Sequence, residues 1–359
     1  MKVLFTGFPG FIGSELVPRL LRRAADTQVV CLVQRKFAAV ATQRANAIEQ
    51  SESAYRGRIH LIEGDITQRD FGLSNVTELA RDTNEIFHLA AVYDLSVKRE
   101  LAMKVNVEGT RNVLAFAERA PNLRRLHHVS TCFVSGRHPG RYTERDLDVG
   151  QAFSNFYEET KFLAEAYVQR AMSSGLKATV YRPSIVVGDS HTGATQKYDG
   201  PYLVIRLVLR QPRIAIMPMV GRPKRFHVNI VPRDYVVSAI DRLSGMGISS
   251  GKVYQLADPV PLSLDRILRA IGQATQHRII CIHLPLRIAK SAIDRVPGVY
   301  ALLQIPSSAV DYFVHPTEYT NIEAVRDLQG MRPPHFDEYL PKLVDFMRRH
   351  PGITSEAMA

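Results

Sequence analysis

A short apolar run, Lys2 to Phe5, passes directly into Thr6-Gly7-Phe8-Pro9-Gly10-Phe11-Ile12-Gly13 and then into an amphipathic stretch from Ser14 to Arg23. A strand, a glycine-rich turn and a helix in immediate succession constrain the fold more than anything else in the chain. Glycine lets the backbone turn tightly and approach a ligand, and the free N–H groups at a helix N-terminus point at negative charge. This is the form of a cradle for a nucleotide pyrophosphate, lined here by Gly7, Phe8, Pro9, Gly10, Phe11 and Ile12. The spacing is Gly-x-x-Gly-x-x-Gly and departs from the Gly-x-Gly-x-x-Gly fingerprint. An ordinary turn would use the same residues, and the rest of the chain favours the cradle.

Apolar, β-branched runs recur at 29–33, 59–62, 86–90, 126–129 and 178–181, with helical patterns at 12–23, 36–50, 75–82, 98–119 and 154–173 between them. Strands alternating with helices imply parallel strands joined by right-handed crossovers, hence an α/β doubly wound Rossmann sheet. Several strands are apolar at nearly every position, as expected when helices cover both faces. From about Gly188 the pattern changes. Prolines and glycines cluster through 193–224, strand and helix signals return at 226–243 and 253–257, and helices are expected at 262–276 and 336–349. The expected division is a dinucleotide-binding domain over 1–190, rejoined by 226–258. A smaller discontinuous cap, 191–225 with 259–359, lies over the carboxyl edge of the sheet.

The 359 residues suffice for a sizeable core, and 45% hydrophobic with 23% charged residues is ordinary globular composition. Cys31, Cys132 and Cys281 are odd in number and widely spaced. They make neither a disulfide framework nor a metal site and suit a reducing compartment. With no basic-then-apolar leader before the first strand and no apolar run of about 18 residues, a cytoplasmic location is expected. A net charge of +11 favours polyanions such as phosphorylated cofactors or acidic carriers. A merely basic surface is the plainer reading, and no nucleic-acid motif accompanies the charge.

Tyr157 and Lys161 stand four apart near the start of a predicted helix and so share one face. A nearby ammonium favours tyrosinate, lowering the phenol pKa toward proton transfer. The preceding strand ends in Val129-Ser130-Thr131, which puts hydroxyls at the carboxyl edge, suited to a substrate carbonyl oxygen. Where an acidic residue would bind the ribose hydroxyls of NAD, at the end of the second strand, the chain has Gln34-Arg35-Lys36. The fork of Arg35 suits a phosphate, which favours NADP; the competing reading is a solvated basic loop. Cys132 reads as packing filler, and His88, His127 and His128 as satisfied structural histidines without metal-ligand spacing.

Together these residues resemble the extended short-chain dehydrogenases/reductases over roughly the first 260 positions. The resemblance rests on Thr6-Gly7-x-x-Gly10-x-x-Gly13, Asp65-Ile66, Leu89-Ala90-Ala91, Asn106-Val107-Glu108-Gly109-Thr110, Ser130-Thr131, Tyr157-x-x-x-Lys161 and Arg182-Pro183-Ser184. It implies that Asp65 meets the adenine and that Ile66, Ala90, Ala91, Pro183, Ser184 and Val186 border the cofactor. It further implies that Thr131 aligns the substrate carbonyl, Tyr157 is the acid/base and Lys161 also holds the nicotinamide ribose. Ser130 remains a second candidate donor. Arg182-Pro183-Ser184-Ile185-Val186-Val187-Gly188 and Asn229-Ile230-Val231-Pro232-x-Asp234-Tyr235 look most like the male-sterility or thioester-reductase-like branch, which includes fatty acyl-CoA reductases. Cys132 and Phe133 stand where sugar-nucleotide dehydratases carry acidic residues, which disfavours dehydration.

The resemblance implies an NADP-dependent oxidoreductase acting on an acyl thioester, carried by CoA or an acyl carrier protein, or on the derived aldehyde. The alternatives are a dehydrogenase or ketoreductase of a hydrophobic alcohol or ketone, and a non-catalytic NADP sensor, which would have no use for Thr131, Tyr157 and Lys161. A homodimer paired through the 98–119 and 154–173 helices is expected. An apolar substrate lining is expected from Tyr198, Leu203, Leu207, Val208, Leu284, Leu286, Ile288, Val299, Leu302, Leu303 and Phe313, with Arg206, Arg210, Arg213, Arg222, Lys224 and Arg225 toward phosphates.

Overall fold

A computed structural model describes residues 1–93, 96–220, 226–285 and 315–354. Seven strands form one parallel sheet: β1 (Lys2–Thr6), β2 (Gln28–Val33), β3 (Ile59–Glu63), β4 (Glu85–His88), β5 (Arg125–Val129), β7 (Ala178–Pro183) and β11 (Val253–Leu256). Short parallel pairs join β6 (Gly140–Tyr142) to β13 (Thr317–Tyr319), β8 (Ile185–Val187) to β10 (Ile230–Pro232), and β9 (Ile214–Val220) to β12 (Arg278–Leu284). The seven strands run β11-β7-β5-β4-β1-β2-β3, so the order reverses between β1 and β4. In such sheets ligands bind in the crevice beyond the carboxyl ends at that switch point.

Successive strand side chains point to opposite faces. On β1, Val3 and Phe5 pack with Val29 and Cys31 under the helices Gly13–Arg22 and Arg233–Ser244. Leu4 packs the other way, with Ile86, Leu126 and Val180, under the helices Gly109–Glu118 and Phe156–Ser173. Both faces are therefore covered, which is why the strands are apolar throughout. Val113, Leu114, Phe116, Ala117 and Val168 are the buried apolar positions of the last two helices in this core.

Three boundaries differ from expectation. β4 stops at His88, so Leu89, Ala90 and Ala91 form a loop. The 98–119 helix is broken by a π-helical turn, Met103–Glu108. Within it the Asn106 amide clasps the Val92 backbone, accepting from its N–H at 2.8 Å and donating to its carbonyl at 3.3 Å. The stretch 193–224, where prolines and glycines cluster and no helix is expected, contains the helix Pro201–Leu209, with proline in the first turn where its missing N–H costs nothing.

A second core gathers the 201–209 helix, β9, the helix Leu264–Thr275 and the helix Phe336–Arg349. Tyr198, Leu203, Leu207 and Val208 are buried in it. They therefore fill the second core and do not line an open acyl pocket, which corrects that expectation. Arg206 is likewise engaged, lying over the Tyr198 ring and donating to the Ile353 carbonyl, whereas Arg210 and Arg213 are exposed. Leu286, Ile288, Val299, Leu302, Leu303, Phe313, Arg222, Lys224 and Arg225 lie outside the described residues. Among those described, no helix is long and apolar enough to cross a membrane.

Candidate active site

The glycine turn is closed against the loop after β4. Gly7 has φ +92°, and a Cβ there would lie 2.8 Å from the Ala90 nitrogen; at Gly10 and Gly13 a Cβ would meet the Gly7 carbonyl oxygen at 2.7 and 2.6 Å. Each glycine is thus required sterically. The turn is pinned by Gly10 N–H donating to the Gly7 carbonyl at 2.9 Å and by the Ser14 hydroxyl donating to the Pro9 carbonyl at 2.7 Å. The N–H groups of Phe11 and Ile12 make no hydrogen bond among the described residues. Close-approach glycines and free N–H groups at a helix N-terminus fit a dinucleotide pyrophosphate.

Around the turn the expected residues assemble. Ala90 N–H donates to the Thr6 hydroxyl at 3.2 Å; that hydroxyl also meets His88 Nδ1 at 2.8 Å, and His88 Nε2 meets the Thr110 hydroxyl at 3.0 Å. Burial pushes the His88 pKa down to about 3, so it is a neutral brace. At the far end, burial works against the Asp65 carboxylate, but the Thr67 N–H at 2.8 Å and the Gln34 side chain outweigh it and hold the carboxyl below its ordinary range. Ile66 packs against Gly109, and its carbonyl accepts from the Asn112 amide at 2.7 Å. Arg35 is exposed in the turn Arg35–Phe37 after β2 and has no ion pair among the described residues. Lys36 lies over the Phe37 ring.

The Asn155 side chain caps the 156–173 helix by accepting from Glu158 N–H at 3.0 Å, which sets Tyr157 and Lys161 in its first turns. Tyr157, Lys161 and Thr131 are all buried. The Thr131 hydroxyl donates to the Pro183 carbonyl at 3.4 Å, and the Tyr93 ring meets the Tyr157 ring edge-on at 4.9 Å. Lys161 Nζ donates to the Val129 carbonyl at 2.8 Å, and burial lowers its pKa to about 8. The expected drop in the tyrosine pKa is not what this geometry gives. Burial raises the phenol above its ordinary value, and Thr131 offsets only part of that. This environment favours the neutral phenol over the phenolate.

Ser130 is not a second donor to the site. Its hydroxyl donates to Glu165 at 2.5 Å, and Glu165 forms a fully buried ion pair with Arg182 at 2.7 Å. Arg182 also donates to the Asp146 carbonyl at 2.8 Å, so the pair ties the site's floor to the 143–146 loop. Pro183 offers its carbonyl to Thr131 at 3.4 Å, and Val186 pairs with Val231. The buried Ser184 hydroxyl has no partner among the described residues. Cys132 is packed with its thiol toward the Arg182 carbonyl, as expected of filler. Of the three histidines only His88 is fully satisfied: His127 meets the Tyr181 hydroxyl through Nδ1 alone, and both ring nitrogens of His128 lack partners among the described residues.

Sequence reasoning missed the wall beyond Thr131. There the Tyr319 hydroxyl meets Ser135 at 3.2 Å and His315 Nε2 at 2.7 Å, with the Phe133 ring edge-on to both rings. His315 and Tyr319 are four residues apart, but Ser135 and Phe133 lie 180 or more residues from them, and no local pattern marks the meeting. Tyr93 was missed for a similar reason: only its ring contact with Tyr157 reveals it.

A doubly wound parallel sheet, a glycine cradle at its switch point and a buried Thr-Tyr-Lys set beside the cradle define an extended short-chain dehydrogenase/reductase, a nicotinamide-dependent oxidoreductase class. The family described as male sterility protein matches residues 5–240, and the chain belongs to it. It is 30% identical over 282 residues to aldehyde reductase lnaA of Aspergillus flavus, covering 74% of this chain. It is 27% identical over 237 residues to fatty acyl-CoA reductase wat of Drosophila melanogaster, covering 56% of this chain and 46% of that protein. The terminal R domain from the myxalamid PKS-NRPS pathway superposes with a TM-score of 0.81 at 25% identity, covering 98% of this chain and 91% of that one. The chain spans only 26–29% of the length of lnaA and three other curated relatives.

Proposed function

We propose that the chain is an NADP-dependent reductase of an acyl thioester, or of the aldehyde derived from it. The observation that carries this reading is the joint burial of Thr131, Tyr157 and Lys161 beside the cradle, with Lys161 Nζ held by the Val129 carbonyl. When bound, the cofactor supplies hydride to the carbonyl carbon. Thr131 orients the carbonyl oxygen and donates to it as negative charge develops. Tyr157 then delivers its proton to that oxygen, and Lys161 stabilises the resulting phenolate. Loss of the thiol from the reduced thioester leaves an aldehyde. Phe11, Ile12 and the glycines hold the pyrophosphate, Asp65 the adenine, and Ile66, Ala90, Ala91, Pro183, Ser184 and Val186 the remaining cofactor wall. The second core, with 191–225 and 259–359, acts as the substrate cap.

The thioester part of the reading draws on the relatives named fatty acyl-CoA reductase and terminal R domain. NADP draws on Arg35, exposed and without an ion pair at the end of β2. NADPH oxidation followed with medium- and long-chain acyl-CoAs is expected to release free thiol in step. Oxidation with ketones or alcohols alone would assign the chain to the hydrophobic-alcohol dehydrogenases instead. Arg35→Asp is expected to weaken NADPH by about tenfold or more, the scale of a lost charge-assisted phosphate pair (about 1.5–3 kcal/mol). Equal kcat/KM for NADPH and NADH in the unaltered protein would remove the NADP assignment.

A further inference from the structure

Arg233 is the first residue of the helix Arg233–Ser244, which packs beside the glycine loop, and its side chain is only 9% exposed. Its guanidinium lies over the ring of Phe11, 4.9 Å from the centroid. It donates no hydrogen bond among the described residues, and its only carboxylate within 4 Å there is Glu15 at 3.4 Å. That is longer than a good charge-assisted contact. The other carboxylates of this corner are engaged. Asp189 accepts the N–H groups of His191 and Thr192 and the Thr192 hydroxyl, while Asp234 accepts the N–H and hydroxyl of Ser190.

A buried guanidinium with an under-used hydrogen-bonding fork is costly unless something pairs with it. Here it stands where two helix N-termini, at Gly13 and at Arg233, concentrate further positive potential. The free N–H groups of Phe11 and Ile12 belong to the residue whose ring Arg233 covers and to its neighbour. The corner is therefore short of an anion.

We propose that Arg233 is a second anchor for the cofactor's pyrophosphate, reaching the glycine loop from the neighbouring helix and exchanging its long contact with Glu15 for a phosphate oxygen. This rests on the dinucleotide reading of the loop and adds to it a cation that the glycine motif does not contain. Glu15 is then a placeholder that holds the guanidinium when no dinucleotide is present and competes with it on binding.

Dissociation constants measured by fluorescence or calorimetry on the whole chain test this with three ligands: NADPH, ADP-ribose, and adenosine 2′,5′-bisphosphate, which lacks the pyrophosphate. Arg233→Gln is expected to weaken NADPH and ADP-ribose tenfold or more and to leave adenosine 2′,5′-bisphosphate within twofold. Arg233→Lys, which keeps the charge but not the fork, should fall between. Glu15→Gln, a surface change, should tighten ADP-ribose two- to fivefold. Unchanged ADP-ribose binding in Arg233→Gln, or equal loss for all three ligands, overturns the anchor. Should Arg233→Gln not fold, Arg233→Lys and Glu15→Gln with wild-type constants for ADP-ribose overturn it as well. In either case NADPH binding by the unaltered chain leaves the dinucleotide reading intact, whereas failure of the unaltered chain to bind any dinucleotide overturns both.

Discussion

The glycine cradle is half-buried and the second core buried, and the two are fixed by contacts of very different range. The cradle is made within residues 6–14 and closed by one loop at 89–91. The second core needs helix 201–209, β9, helix 264–275 and helix 336–349 together, segments that span more than a hundred residues. The cofactor end is thus set by local backbone geometry, and the substrate end by distant side chains that must find one another. Sequence changes can remodel the second without touching the first.

Four substitutions probe that separation, the largest effect first. Tyr157→Phe removes only the proton donor, so turnover should fall about 100- to 10,000-fold, the span of general acid catalysis. NADPH affinity should stay within about twofold, a ground-state change far below one hydrogen bond. Wild-type rates would show that Tyr157 is not the acid. Leu343→Ala, in the middle of the second core, should cost about 2–5 kcal/mol in denaturant unfolding. If the two regions are as separate as their contacts suggest, NADPH affinity survives this loss while KM for the thioester rises.

Gly7→Ala attacks the other side. Its φ of +92° and the 2.8 Å approach to Ala90 allow no Cβ, so about 1–3 kcal/mol of strain should appear together with weakened cofactor binding. Strain without weakened binding would mean that the loop is merely a turn. The smallest expected effect is on pH dependence. Burial lowers the Lys161 pKa from an ordinary 10.5 to about 8. Between those values the unfolded chain binds the extra proton and the folded chain does not, so this group makes stability rise with pH across that window. Below about 8 both states carry the proton and the folded state bears the full burden of burying it. Unfolding free energies of the cofactor-free protein at pH 7.5 and 9.5, compared with those of Lys161→Met, should show a shallower rise in the variant. Identical slopes would show that burial does not lower the Lys161 pKa.

Much of the fold was legible because its cues are local. The apolar runs of β1 to β5 and β7 read directly as strands, and Tyr157-x-x-x-Lys161 placed two functional groups on one helix face. The prolines and glycines of 193–224 hid the 201–209 helix, since Pro201 marks a helix start as readily as a loop. β4 was read two residues too long because Leu89 and Ala90 are apolar for a different reason: they close on Gly7.

By itself the sequence determined the order of strands and helices, the glycine cradle, and the presence of Thr131, Tyr157 and Lys161 at one edge of the sheet. These follow from periodicity, turn chemistry and i,i+4 spacing, all contained within a few residues. Only the tertiary structure decided that Ser130 is spent on Glu165, that Tyr198 and Leu207 fill a core, and that burial raises the Tyr157 phenol pKa. It alone brought Tyr319 to Phe133 and Arg233 to Phe11. The physical reason is that hydrogen-bond partners and burial depend on which distant surfaces meet, and a side chain's protonation and availability follow from those encounters.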